Sequence, residues 1–322
     1  MLTLTRVAAS FVLAAIALAA NFSTTAAADD YPTRPVRIIV GFGPGSTADY
    51  AARAVAQKLN LKFGQQFVVE SRAGAGSNLA AEYVARAPKD GYTLLMGTVA
   101  NTINATISKL SFDFAKDLAP ITLVSTVPTI LVAHPSTGIR TVADLVAAAK
   151  AKPEPMLFGS SGVGSALHVH GELLKVTAGI KLTHVPYPGS AQALTDLLAG
   201  RISVMFSPAP TVLPHIQSGA LTAVAATRAG VLPGLPSMAE TGYKGFEAGL
   251  WFGMLAPAGT PRAIADKVSV GINEALKMDD VIQALRKQGF EALGGTPDEF
   301  SRYVASEIAQ WARVAESAGL KK

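Results

Sequence analysis

The stretch from Val40 to Arg53 constrains the fold more than any other part of the chain. Before it, Val36 to Val40 is a short β-branched run that reads as a buried strand. After it, Ala51, Ala54, Val55 and Leu59 recur at helical spacing, so a helix begins near Thr47. Between them Gly41, Gly43 and Gly45, with Pro44, make a turn where backbone can come close to another group. Ser46 reads as an N-cap, and Asp49 three residues on completes a capping-box-like pair. A strand, a glycine turn and a capped helix together present free N–H groups and the positive end of a helix dipole, which is the chemistry of an anion site. The plainer alternative is a connector whose Asp49 only caps the helix and pairs with Arg53 at i+4. Ser46 and Thr47 follow Gly45 with no lysine, so this is no Walker loop, and the glycine spacing misses the dinucleotide fingerprint.

A second copy of the same unit follows. Gln66 to Glu70 reads as a strand, Arg72 to Asn78 as a glycine turn, and Leu79 to Ala87 as a helix stopped by Pro88, with Ser77 or Asn78 as its cap. Tyr92 to Met96 is the next strand, ending at Gly97 and Thr98. Alternating units of this kind predict a parallel sheet, with ligands beyond the carboxyl ends of its strands. Two capped helix starts facing one crevice could hold one carboxylate between them.

Residues Met1 to Ala28 read as a leader rather than part of the fold. Arg6 gives a thin positive end, Val7 to Ala20 is apolar, and Ala26 to Ala28 supply small residues at a cleavage site near Ala28. The apolar run is too short to span a bilayer. The chain has no cysteine, hence neither a disulfide framework nor a lipid-anchoring site, and the expected compartment is the periplasm. With 49% hydrophobic and 16% charged residues, the chain is not disordered or fibrous. Its formal charge of +5 is not gathered into a basic run, which argues against nucleic-acid binding.

The α/β pattern restarts after Ile121. Val127 to Ala133 reads as one strand, and Thr141 caps a helix from Val142 to Ala151. Met156 to Phe158 leads into the hydroxyl- and glycine-rich turn Gly159 to Ser165, followed by a helix from Ala166 to about Ala178. Further strands are expected at Leu182 to Tyr187, Ile202 to Phe206 and Leu221 to Ala226, with a helix from Ala191 to Leu198 after Gly189 and Ser190. The turn invites comparison with a hydrolase, but Ser161 and Ser165 both lack the flanking glycines of a nucleophile elbow. His168 and His170 stand two apart, on opposite sides of a helix rather than on one metal. The serines then read as neutral donors that fix a carboxylate without reacting, and neither metal nor cofactor is expected.

The last segment returns to the first domain. Trp251 to Ala256 reads as a strand, Pro261 to Lys277 as a helix, Val281 to Lys287 as a short helix, Phe290 to Leu293 as a strand, and Phe300 to Ala318 as an amphipathic helix. The expected organisation is a leader at 1–28, one domain from 29–127 and 250–322, and a second from 128–249. The chain crosses between the two domains twice, at a hinge. Trp251 is placed beside the hinge and Trp311 far from it.

Several stretches together resemble the Bug-type extracytoplasmic solute receptors of tripartite tricarboxylate transporters. They are Tyr31 to Val40, Gly74 to Asn78, Lys89 to Thr98, Phe158 to Ser165, His184 to Tyr187, Leu213 to Ile216 and Trp251 to Pro261, in matching order along the whole mature chain. The resemblance implies two doubly wound α/β domains joined by a hinge, with a cleft that captures a small carboxylate. It implies a non-enzymatic monomer that works with membrane transporter subunits. Carried over residue by residue, it places Phe42, Gly43, Pro44, Gly45, Ser46, Thr47 and Asp49 at the ligand, with Gly76, Ser77 and Asn78 on the second loop. From the second domain it places Ser160, Ser161, Gly162, Ser165 and His168 there, with Tyr187 and Gly189 nearby. Thr98 joins them as a neutral hydroxyl.

Two departures from the family pattern stand out. The first loop has Gly41 where proline is frequent and Ser46 where a second glycine is frequent. After Phe206, where many members have aspartate, this chain has Ser207 and Pro208. A hydroxyl instead of a carboxylate there favours a dicarboxylate or an aromatic acid over an amino acid. Two rival readings remain at this level: a secreted serine hydrolase using Ser161 or Ser165 with His168, and a carboxylate sensor for a membrane kinase.

Overall fold

The computed structural model describes residues 30–317 apart from 152, 247 and 248; the expected leader lies outside the described residues. The chain opens with β1 (Val36–Val40), α1 (Thr47–Phe63), β2 (Phe67–Ser71), α2 (Asn78–Ala85), β3 (Thr93–Thr98) and α3 (Val99–Ile107). A short α4 (Phe114–Asp117) leads into β4 (Leu118–Val127). The next group is β5 (Thr129–Ala133), α5 (Val142–Ala151), β6 (Met156–Ser160), α6 (Ala166–Ala178), β7 (Leu182–Pro186) and α7 (Ser190–Leu198). It closes with β8 (Val204–Pro208), α8 (Ala209–Gln217) and β9 (Thr222–Ala226). The chain then returns through β10 (Leu250–Pro257), α9 (Arg262–Ala275), α10 (Asp279–Lys287), β11 (Glu291–Ala292) and α11 (Pro297–Ser317).

These elements form two α/β domains. One sheet has the order β11-β4-β10-β3-β1-β2 and the other β7-β6-β8-β5-β9. In the first, β1 lies between β3 and β2 and is parallel to both, with Ile38 facing Val69 on one side and Leu94 on the other. The strand is buried on both faces, which is why it reads as an unbroken apolar run. The expectation of a wholly parallel sheet is corrected. β10 runs antiparallel to β3 and β4, β11 is antiparallel to β4, and β5 is antiparallel to β8 and β9. The reason is topological. β4 carries the chain out to the second sheet and β10 brings it back, so neighbours on that path must run in opposite directions.

The stretch Val127 to Ala133, expected as one strand, is the end of β4 and the whole of β5, divided at Pro128. Proline has no N–H for a ladder, so the chain changes sheets there. α3 and α8 were not marked by the sequence pattern; both follow directly on a strand, without the intervening turn that announces the other helices.

The C-terminal helix α11 packs on α3 and β4. Gly253 makes that docking possible, since a Cβ there would lie 2.1 Å from the Phe300 ring. The expectation that Trp311 lies far from Trp251 is corrected: the two indoles meet on one carboxylate. The Trp251 and Trp311 indole N–H groups donate to the same buried Glu307 oxygen, at 3.0 and 3.2 Å. Burial raises the Glu307 pKa, while the two indoles oppose that shift. Among the described residues no helix is long and apolar enough to cross a membrane.

Candidate functional site

The turn between β1 and α1 is a reciprocal cap. Ser46 Oγ accepts from the Asp49 N–H at 3.3 Å, and the Asp49 carboxylate accepts in return from the Gly45 N–H at 3.0 Å. Arg53 Nε closes the arrangement on Asp49 at 3.0 and 3.1 Å. Asp49 is therefore buried behind the turn, and the remaining first-turn amides of α1 have no intrahelical acceptor. Ser71 Oγ donates to the Phe42 carbonyl and ties the turn to the end of β2.

Four more helices begin at the same place. Thr98 precedes α3, and Asn101 Oδ1 accepts from the Thr98 N–H at 3.0 Å. The other limb of that capping box is too loose to form a full hydrogen bond, and the buried Thr98 Oγ1 is left without a partner. Ser165 caps α6, its Oγ accepting from the His168 N–H at 3.3 Å. Gly189 precedes α7 with no side-chain cap, and Pro208 precedes α8. The starts of α1, α3, α6 and α7, with Pro208, surround a cavity of about 140 Å³.

Of the residues expected at a ligand, Phe42, Gly43, Pro44, Gly45, Ser46, Thr47 and Thr98 line this cavity from the first domain, and Ser161, Ser165 and Gly189 from the second. The sequence does not place Val99, Ala100, Ala166, Leu167, Pro188, Ser190, Ala191, Gln192, Pro208, Leu250 and Phe252 at the ligand, yet they line the cavity as well. Most of these are the residues that follow a named cap, so extending each cap by one helical turn would have found them. Leu250 and Phe252 carried no such signal; they arrive because β10 pairs Phe252 with Thr98. Among the described residues that line the cavity there is no Asp, Glu, Lys, Arg or His. An anion here meets peptide dipoles, hydroxyls and apolar wall.

The remaining expected residues stand outside the lining. Asp49 lies behind its turn. Gly76, Ser77 and Asn78 belong to a second loop of different character: Gly74, Ala75, Gly76 and Ser77 all have positive φ, at 142°, 48°, 60° and 75°. Ser77 is the N-cap of α2 but makes no side-chain cap bond, which corrects the expectation of a capped second helix. In that conformation its Oγ turns toward Asn101 Oδ1, 3.4 Å away. Ser160 Oγ sits 3.1 Å from the Gly162 N–H and 2.7 Å from His184 Nε2, so both Ser160 and Gly162 support the turn from behind. The Tyr187 hydroxyl donates to Asp196 at 2.8 Å, and burial is the main cause that raises its pKa to about 12. Ser207 pairs with Ile130 inside the second sheet, its buried hydroxyl without a partner, while its neighbour Pro208 reaches the cavity.

The His168 and His184 rings meet beside the Gly159 to Ser165 turn, their centroids 4.1 Å apart and their planes tilted by 33°. Burial lowers both imidazoles to about 4, helped by the Lys175 charge at His168 and by His168 itself at His184. His168 Nδ1 accepts from the Gly164 N–H at 3.3 Å, and Nε2 is 3.8 Å from Glu172. The His168 ring therefore serves the backbone of the turn and makes no hydrogen bond to Ser161 or Ser165. The Ser165 hydroxyl accepts from an amide, as a cap does. Among the described residues no group of three or more His, Asp or Glu could hold a metal.

Comparison with known proteins shows the family and the fold. Residues 51–320 match the family described as "Tripartite tricarboxylate transporter family receptor". The chain is 36% identical over 308 residues to protein BugT of Bordetella pertussis, covering 94% of each chain. Its structure superposes with a TM-score of 0.84 on R. palustris Rpa4515 with adipate, at 37% identity, over 90% of this chain and 98% of that one. MatC from Rhodopseudomonas palustris with bound malate gives 0.82 at 28% identity, over 88% and 99%. The chain belongs to the tripartite tricarboxylate transporter receptor family.

Proposed function

We propose that this chain is the exported receptor of such a transporter and captures a small carboxylate, with a dicarboxylate or an aromatic acid favoured, in the cavity between its domains. The observation that carries the reading is the convergence of helix N-termini from both domains on a cavity with no ionisable side chain among the described residues of its wall. Each helix start stabilises a nearby negative charge by about 0.3–1 kcal/mol, and up to ~2 when partly buried. Hydrogen bonds to a charged group add roughly 1.5–3 kcal/mol each. A micromolar ligand needs about 8 kcal/mol net, so several amides from both sides must act together. Thr98, whose buried Oγ1 has no partner, lines the same cavity. Rpa4515 was solved with adipate and MatC with malate, both dicarboxylates, which supports the same ligand class here.

On this reading the first domain comprises 29–127 and 250–322, the second 128–249, and the passages at Pro128 and before Leu250 form the hinge. Cleavage near Ala28 releases a periplasmic monomer that passes its ligand to membrane subunits and catalyses nothing. The neutral Ser207 keeps negative charge away from the wall at Pro208, where an aspartate would repel a second carboxylate.

Titration calorimetry with adipate, malate, terephthalate, their methyl esters and a matched amino acid tests the proposal. Micromolar binding of one or more of the free acids, with the esters silent, is the expected result. Heat from none of the acids, or tighter binding of the amino acid, overturns it.

A further inference from the structure

Asn104 of α3 lies outside the cavity wall and is only 2% exposed. Its Nδ2 donates at 2.7 Å to the carbonyl of Ala100, one turn back in its own helix, and at 2.8 Å to the carbonyl of Gly164 in the other domain. Its Oδ1 accepts from Ser108 Oγ at 2.9 Å, which fixes the orientation of the amide. The Gly164 peptide is held from both sides, since its N–H donates to His168 Nδ1.

The packing around this bond is as tight as backbone permits. A Cβ on Gly164 would lie 2.5 Å from Asn104 Oδ1, and a Cβ on Gly76 would lie 2.9 Å from Nδ2 and 3.0 Å from the Gly164 carbonyl oxygen. Three backbone segments, from α3, the left-handed loop before α2 and the turn before α6, thus meet on one side-chain amide. The bond adjoins the site on both sides. Ser165, next to Gly164, lines the cavity and caps α6, and Ala100, the other acceptor, lines it too.

We propose that Asn104 is a positioning residue for binding: a latch between the domains that holds the cleft closed over its ligand without touching it. The inference rests on the receptor reading above. When the domains separate, the Gly164 carbonyl passes to water while Nδ2 keeps Ala100. The latch therefore acts on the closed state and leaves the entry of ligand unaffected. One net hydrogen bond corresponds to about a threefold to tenfold change in an equilibrium or a dissociation rate.

The test uses N104D, which keeps the shape but turns a donor into an oxygen facing the carbonyls of Ala100, Gly164 and Gly76, and N104A, which removes the amide without adding charge. Stopped-flow binding of adipate reads the two rate constants. Separately, the chain has no cysteine, so L79C and V163C can carry spin labels uniquely. Leu79, in the first turn of α2, and Val163, in the turn before α6, are 54% and 64% exposed and lie one on each domain.

Expected are adipate dissociation about threefold to tenfold faster, unchanged association, and a longer label-to-label distance in both variants. Both variants also lose the bonds to Ala100 and Ser108 inside α3, so the ligand-free protein should melt lower. A merely structural role would stop there and leave the dissociation rate and the label distance of the folded protein at wild-type values. Equal dissociation rates in wild type and variants overturn the latch. Absence of adipate binding by wild type counts against the receptor reading instead. The label distances of the ligand-free proteins then decide the latch, longer in the variants supporting it and identical distributions overturning it.

Discussion

The turn after β1 and the turn after β2 each lead a glycine- and serine-containing run into a helix, yet only the first lines the cavity. In the first, Ser46 has extended backbone at φ −69° and ψ 161°, so its hydroxyl reaches back over the helix start. In the second, Ser77 is left-handed and its hydroxyl turns toward Asn101. The two loops also touch. A Cβ on Gly41 would lie 2.0 Å from Ser77 Oγ and 2.5 Å from Ser77 Cα. Gly41 is thus a glycine because the second loop occupies the space of its side chain, while Gly43, whose Cβ would meet nothing within 4 Å, faces open space. One loop presents amides; the other presses that loop into place and carries the contact with Gly164. Residue type specifies a turn before a helix, and the φ values of the turn decide whether its polar groups face a ligand or a neighbouring backbone.

The sharpest way to break this comparison is Gly41→Val against Gly43→Ala. The first drives a branched side chain into the backbone of the second loop, and overpacking of this kind costs about 3 kcal/mol. The second should change stability by less than about 0.5 kcal/mol. Urea unfolding measures both. Equal losses would mean that Gly41 does not separate the two loops in the way described.

A third glycine turn, Gly159 to Ser165, extends the comparison because its support is titratable. His168 and His184 protonate near 6.5 when unfolded and only at about 4 in the fold, where burial opposes the charge. Between those values the unfolded chain binds more protons. Stability is therefore full above about pH 6.5 and is lost as pH falls toward about 4, levelling off below. Glu172 and Lys175 of α6 face the same pair and modulate the effect. Melting temperatures across that window should fall steadily, and His184→Gln should flatten the slope. A wild-type profile without slope would show that the histidines are not buried as neutral rings.

Much of this was legible in the residues. The strand and helix runs of both domains and the Ser46 and Thr141 caps are local signals, set by side-chain period and capping chemistry. The reversal of β5 and β10 was not legible, because direction follows from which strand leaves a sheet and which returns. Nor was the place of Trp311: sixty residues separate it from Trp251, and their meeting on Glu307 depends on how α11 packs on α3 and β4. The left-handed backbone of the second loop was hidden for another reason. Two of its four positive-φ residues, Ala75 and Ser77, are not glycine, so no residue type announces it.

A milder comparison sets Ser46→Ala beside Ser77→Ala. Ser46 caps seventeen residues of helix, and losing such a cap costs about 1 kcal/mol. It also removes a hydroxyl from the cavity wall. Ser77 makes no cap bond, and Asn101 Oδ1 keeps the Thr98 N–H, so its hydroxyl should be worth about 0.5 kcal/mol or less. Denaturation midpoints read the first difference and calorimetry with adipate the second. Equal effects on both readouts would erase the distinction between a presenting loop and a pressing one.

The smallest effect has the opposite sign. Ala75 is exposed and sits at φ 48°, a region that costs an L-residue with a side chain about 1–2 kcal/mol. Glycine carries no such cost, although its looser unfolded state takes back about 0.5–1 kcal/mol. Nothing packs on an exposed methyl, so Ala75→Gly should stabilise the protein by about 0.5 kcal/mol net. The same change in the first loop has no counterpart, because its left-handed position, Gly45 at φ 78°, is already glycine. If the second loop presses on the first only through its backbone path, the variant should bind adipate as wild type does while melting slightly higher. A lower melting temperature would show that the Ala75 side chain contributes to the fold after all. Weaker binding at unchanged stability would show instead that the strain itself holds the second loop against Gly41 and Gly164, and that relaxing it loosens the site.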